Sequence, residues 1–233
     1  MKPPGRAQSK PPPAPPSAQG VFSHALPTAE LFADLLNREA TVRGLIGPRE
    51  VPRLWERHLL NCAVITDLMP PDSTVCDIGS GAGLPGIALA IRRPDLQVTL
   101  LEPLLRRTTF LELAVSTMEL TNVSVRRGRA EELHGQPGLG QGFDVVTSRA
   151  VAPMDRLARW SLPLVRPGGL FLAMKGSSVA SELRDAAAEI RRQGGMEPVV
   201  QTVGSAWLGQ PVTVVQITKS GITRTNRPPR RAR

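Results

Sequence analysis

Asp77, the alternating glycines Gly79, Gly81 and Gly83, and a second acid, Glu102, are the residues whose types and spacing could do chemistry. The run Val75-Cys76-Asp77-Ile78-Gly79-Ser80-Gly81-Ala82-Gly83-Leu84-Pro85-Gly86 ends an apolar stretch in an acid and passes into Ile87-Ala88-Leu89-Ala90-Ile91. That order predicts strand, tight turn and helix, with glycines that let a ligand lie against the backbone. Two cofactors compete for such a turn. Gly81-Ala82-Gly83-Leu84-Pro85-Gly86 fits the dinucleotide pattern G-x-G-x-x-G. A pyrophosphate, however, wants bare amides at a helix N-terminus, and this helix begins near Pro85, which has no N–H. Asp77 would repel phosphate and suits a ligand carrying an ammonium and a sulfonium, which describes S-adenosyl-L-methionine. Glu102 closes the next apolar run, where a carboxylate can take both hydroxyls of a ribose. The bland alternative, a glycine turn without ligand and two solvated acids, fits the strand, helix, strand context less well.

These residues need a parallel sheet to hold them, and the chain alternates strand and helix as such a sheet requires. Strands are expected at about 75–78, 97–102, 123–125, 143–148, 170–174, 198–203 and 212–218, with helices at about 104–120, 154–165 and 179–193. The last two strands pair antiparallel and complete seven, which favours a Rossmann-like α/β methyltransferase sheet over a six-stranded dinucleotide fold. Segment 126–132 forms a loop over the carboxyl edge, where open α/β sheets bind ligands. There Ala130 and Glu131 are placed to supply an acceptor for the adenine amine, and Arg149 reaches the same edge. Pro167-Gly168-Gly169 reads as a turn and 134–142, with four glycines, as a surface connection.

Ahead of the sheet, two helices are expected. The first starts at Pro27 with Thr28 as N-cap and Leu31, Leu35 and Leu36 on one face. The second runs from about Pro48 with Val51, Leu54, Trp55, His58, Leu59 and Cys62 inward, and it stacks Arg49, Arg53 and Arg57 at four-residue steps. That stripe is either an RNA contact or a solvated face broken by Glu50 and Glu56. His58 falls on the apolar side, as a satisfied core or lid histidine rather than a catalytic base. The domains read as a disordered Pro-rich arm (1–20), an N-terminal helical subdomain (21–70), an S-adenosylmethionine-binding domain (71–219) and a disordered basic tail (220–233).

The 233 residues carry a net charge of +9, and its distribution matters more than its size. Lys2, Arg6 and Lys10 in the arm, with Lys219, Arg224, Arg227, Arg230, Arg231 and Arg233 at the other end, account for the whole excess. The body is formally neutral, so an RNA surface on it must come from local clustering. Cys62 and Cys76 lie in apolar surroundings, as reduced thiols of a cytoplasmic protein, and no His cluster accompanies them to make a zinc site. Neither a secretory signal nor an apolar membrane span is expected, and with no surplus apolar face a monomer is expected.

Trp55-Glu56-Arg57-His58-Leu59-Leu60-Asn61, the glycine turn with its Leu84-Pro85-Gly86 ending, Ser148-Arg149-Ala150-Val151-Ala152 and Lys175-Gly176 together resemble the family of small-subunit ribosomal RNA methyltransferase G, also called glucose-inhibited division protein B. The resemblance spans about 26–218. It implies methyl transfer from S-adenosyl-L-methionine to guanine-N7 of bacterial 16S rRNA, in naked RNA or in the small ribosomal subunit, and makes Gly79, Leu84, Ala130, Glu131 and Arg149 cofactor contacts. Guanine-N7 has a lone pair and no proton, so in-line placement suffices and no general base is needed. Catalytic residues are therefore not expected, only positioning by Arg149, Lys175 and His58. Arg149 would anchor the methionine carboxylate or an RNA phosphate, against a structural ion pair with Asp144 or Asp155. Arg126, Arg127, Arg129 and Lys175 join Arg49, Arg53 and Arg57 as candidate RNA contacts. Two further readings stay open: a same-fold methyltransferase acting on a small molecule or protein, and a non-catalytic RNA-binding module.

Overall fold

A sheet buried on both faces needs strands that are apolar at consecutive positions, and the chain supplies them. In a computed structural model describing residues 11–134, 142–149 and 151–221, β1 (Thr74–Ile78), β2 (Gln97–Glu102), β3 (Val123–Arg127), β4 (Phe143–Arg149), β5 (Val165–Lys175), β6 (Val199–Val203) and β7 (Val212–Thr218) form one seven-stranded sheet. Its order is β3-β2-β1-β4-β5-β7-β6, parallel except for β7, which runs antiparallel to both β5 and β6. The arm up to residue 10, segment 135–141, Ala150 and the tail from 222 lie outside the described residues, and with them the expectations placed there.

Adjacent residues divide between the two faces. Val75, Leu100, Val145, Leu172 and Val214 pack on one side beneath α4 (Gly86–Arg92) and α5 (Leu105–Thr117). Cys76, Leu101, Val146, Phe171 and Val215 pack on the other beneath α6 (Ala130–Leu133), α7 (Met154–Ser161) and α8 (Val179–Arg192). Phe110 and Phe171 are fully buried, one on each side, each stabilising the fold by roughly 1.5–3 kcal/mol. The parallel register brings the carboxyl ends of β1, β2, β3 and β4 to one edge: Ile78 faces Leu101, Glu102 faces Arg127 and Arg149 faces Met174 of β5.

Several expectations are corrected. The Pro-rich arm is structured from residue 11: α1 (Pro16–Phe22) buries Ala18, Val21 and Phe22, and Trp55 Nε1 donates to Pro12 O at 2.9 Å. Proline is tolerated in a first helical turn, and Gly20 lets the helix lie against Trp207, whose ring a Cβ there would strike at 2.1 Å. The N-terminal helices share one continuous core with the sheet face. In α2 (Leu26–Leu35) Thr28 caps nothing, and the buried face is Ala29, Phe32 and Ala33, with Leu31 outside. The stretch after Gly47 is a 3-10 turn (Pro48–Arg53) followed by a π turn (Leu54–Leu60) and a short α3 (Asn61–Ala63). In a 3-10 turn, positions four apart stand about 120° apart, so Arg49 and Arg53 do not stack. Pro167-Gly168-Gly169 belongs to β5 as an irregularity, with Gly168 at φ +77° and the register with β4 shifted between Phe143 and Val145. Arg126 and Arg127 finish β3 rather than opening a loop.

Candidate active site

The turn after β1 is built by glycine geometry and two acids. Gly79 takes φ +69°, and its N–H donates to Leu101 O at 2.8 Å. A Cβ there would come within 3.0 Å of Val151, so glycine keeps the space above the turn open. Gly81, at φ +57°, donates its N–H to Glu102 Oε2 at 3.0 Å. Glu102 is 1% exposed; its Oε1 accepts Leu104 N–H at 3.1 Å and Arg107 Nη1 stands 3.4 Å from Oε2. Oε1, with one partner, keeps acceptor capacity for a hydroxyl, whereas Oε2 already accepts from two.

Asp77 lies beneath this turn, fully buried. Its Oδ2 accepts Gly86 N–H at 3.0 Å, at the start of α4, and Oδ1 is without a partner among the described residues. Burial pushes its pKa up to about 7, the bond from Gly86 opposing. Gly86 is required here, since a Cβ would meet Leu100 at 2.2 Å and Asp77 Oδ2 at 2.8 Å.

A cavity of about 470 Å³ opens above the turn, within the range of small-ligand sites. Ile78, Gly79 and Glu102 line one side and Gly128, Ala130 and Glu131 another, with Val151, Trp160 and Arg149 completing it. The lining fits S-adenosyl-L-methionine. An apolar slot lies beside Ala130 and Glu131, a fixed carboxylate ends β2, and a buried carboxylate with an unpartnered oxygen lies under the turn and favours a cation. Arg149 Nη1 donates to Cys62 Sγ at 3.1 Å, and Nη2 donates to His58 Nδ1 at 2.7 Å and to Arg57 O at 3.3 Å. Asp144 is bound instead to Arg166 and Thr74, so the alternative ion pair does not form with it. Arg149 also borders a second cleft of about 1000 Å³, shared with Arg57, Asn61, Lys175 and Glu182.

The predicted residues are thus only partly gathered. Gly79, Glu102, Ala130, Glu131 and Arg149 line the cavity. Asp77, Gly81, Gly83 and Leu84 shape the turn from beneath or behind: Gly83 packs on Ile87 and Leu111, and Leu84 is partly buried against the core. Lys175, only 9% exposed, pairs with Glu182 at 2.7 Å and donates to Ala152 O at 3.1 Å, so it braces the cleft wall rather than facing RNA as a free cation. Arg49, Arg53, Arg57 and Arg127 are exposed, Arg126 is half-buried, and Arg129 lies in the cofactor cavity wall. His58 is mostly enclosed, its Nε2 2.9 Å from Glu50 Oε2. Arg107 and Trp160 were not foreseen. Arg107, a cation one turn into the helix after Glu102, carried a usable signal; Trp160 comes from a helix on the far side of the sheet and carried none.

A family model, GidB, described as rRNA small subunit methyltransferase G, matches residues 25–207. The chain is 55% identical over 207 residues to a ribosomal RNA small subunit methyltransferase G of Nocardioides sp., covering 88% of this chain and 81% of that protein. It is 51% identical over 229 residues to the protein of the same name from Salinispora arenicola, covering 97% and 95%. Among solved structures, a predicted O-methyltransferase, protein Atu636 from Agrobacterium tumefaciens, matches with a TM-score of 0.52 at 17% identity, covering 70% of this chain and 80% of that one, a likeness of fold alone.

Proposed function

The chain belongs to the GidB family of rRNA small subunit methyltransferases G, and from that premise we propose that it methylates guanine-N7 in 16S rRNA with S-adenosyl-L-methionine as donor. The observation that carries this reading is Arg149, whose guanidinium borders both the cavity above the glycine turn and the larger cleft beside it. A donor site that opens onto an acceptor cleft is what direct group transfer requires.

When bound, the donor supplies a methyl group on a positively charged sulfur, which departs as a neutral thioether. Glu102 would hold the ribose hydroxyls, Ala130 and Glu131 would bound the adenine, and Arg149 would meet the methionine carboxylate as a charge-assisted contact. Buried Asp77 adds negative potential beneath the cationic group. In the cleft, the charged side chains among the described residues are Arg57, Arg149, Lys175 and Glu182, the last two already paired with each other. That leaves no unpaired base there, as suits an acceptor nitrogen with no proton to lose. Arg57, exposed at the cleft wall and only loosely paired with Glu50 at 3.7 Å, is the cation that meets an RNA phosphate. The protein acts in the cytoplasm, where its substrate resides, and as a monomer. No helix among the described residues is long and apolar enough to cross a membrane.

Ribosomal RNA from cells lacking this protein tests the assignment. One guanine of the small-subunit RNA is expected to lose its N7 methyl group, read by mass spectrometry of digests, and to regain it on complementation. Unchanged RNA overturns the reading.

A further inference from the structure

The described contacts that hold Arg149 include no carboxylate, which is unusual for a guanidinium at a ligand site. Its hydrogen bonds end on a thiol sulfur, a main-chain carbonyl and an imidazole. A guanidinium only donates, so His58 Nδ1 accepts from Arg149 at 2.7 Å and the ring proton must reside on Nε2, which faces Glu50 Oε2 at 2.9 Å. The neighbours therefore dictate one tautomer and one ring orientation.

We propose that His58, held by Glu50 as the neutral Nε2–H tautomer, is a positioning residue that aims Arg149 at the methyl donor. The proposal rests on the donor reading above and adds a dependency to it: a residue of the N-terminal helical region sets a binding group at the end of β4. The charged and titratable groups around the imidazole are Glu50 from the 3-10 turn, Arg57 from its own segment, Arg149 from β4 and, across Arg149, Cys62 from α3. Burial and then Arg149 hold the imidazole below its ordinary pKa, with Glu50 opposing. Neutral His58 is thus the resting form near pH 7. A proton on Nδ1 would remove the acceptor and set two cations against each other, freeing Arg149 from its pose.

The test is calorimetric titration of S-adenosyl-L-methionine into the full chain and into His58→Phe, His58→Gln, Arg149→Met and the His58→Phe, Arg149→Met double variant, with thermal melts alongside. His58→Phe should bind about tenfold more weakly than the native chain. His58→Gln, whose amide can accept from Arg149 and donate to Glu50, should stay within about threefold of native binding. On the Arg149→Met background, His58→Phe should cost nothing further. As the pH falls below the ordinary imidazole value of about 6.5, native affinity should drop more steeply than that of His58→Gln. Equal cost of His58→Phe on both backgrounds, or superimposable pH profiles for native and His58→Gln, overturns the proposal. If His58→Phe does not fold, the two pH profiles decide alone. A native chain that binds no donor overturns the proposed function itself, and this inference with it, whereas native binding that His58→Phe leaves unchanged overturns the inference only.

Discussion

Asp77 couples its environment to pH. Its pKa is pushed up to about 7 by burial, with Gly86 N–H as its closest compensation, so the folded chain holds a proton that the unfolded chain releases near pH 4. Between those values the native state binds the extra proton, and stability falls as pH rises through the window. Asp77→Asn, which cannot ionise, should therefore lose less melting temperature than the native chain as pH rises from about 4 to 7. A cationic donor favours the ionised carboxylate, so native donor affinity should climb by up to about tenfold per pH unit below 7 and level off above it. The variant should lack that climb. Calorimetry across the range checks both, and a native affinity that is flat between pH 6.5 and 8 contradicts the role given to this carboxylate. Asp77 was legible as an acid that matters, since it ends an apolar strand at a glycine turn. Its place under the turn was not legible, because that depends on how closely α4 returns over β1.

At the scale of elements, periodicity served where burial is two-sided or strongly one-sided. β2 falls on the expected residues, and Phe110, Leu111 and Ala114 of α5 are buried as their spacing requires. It failed in the N-terminal helical region, where turns of 3-10, α and π type succeed one another and no single period holds. Pro52 inside the 3-10 turn is the local reason the expected arginine stripe does not form, since it lacks the N–H that an α-helix would use there. It failed also at residues 11–20, read as disordered arm, whose proline content hides the start of α1 and its buried Ala18. Phe22 is 2% exposed and meets the Trp55 ring edge-on with centroids 6.4 Å apart. Phe22→Ala should therefore destabilise the chain by about 3 kcal/mol, read by chemical denaturation. A change near zero would mean that α1 is the dispensable appendage its composition suggests.

Across the whole molecule, the excess positive charge sits near the two ends of the sequence and the body is formally neutral. The nine excess charges of the sequence lie in the first twenty and last fifteen residues, so the proposed RNA contact on the body rests on local cations: Arg57 at the cleft wall, with Arg49 and Arg53 exposed nearby in sequence. The glycine turn, Glu102 and Arg149 could be read from the chain because each sits at a strand end that a parallel sheet brings to one edge. The links from Arg149 to His58 and Cys62 could not, because they join segments about ninety positions apart through side chains alone. The central claim is that the two cavities meeting at Arg149 pass a methyl group from donor to guanine-N7. Purified chain, isotopically labelled S-adenosyl-L-methionine and small ribosomal subunits lacking the modification should yield label in 7-methylguanosine at one position. Label on another atom or another base, or none on RNA, contradicts it.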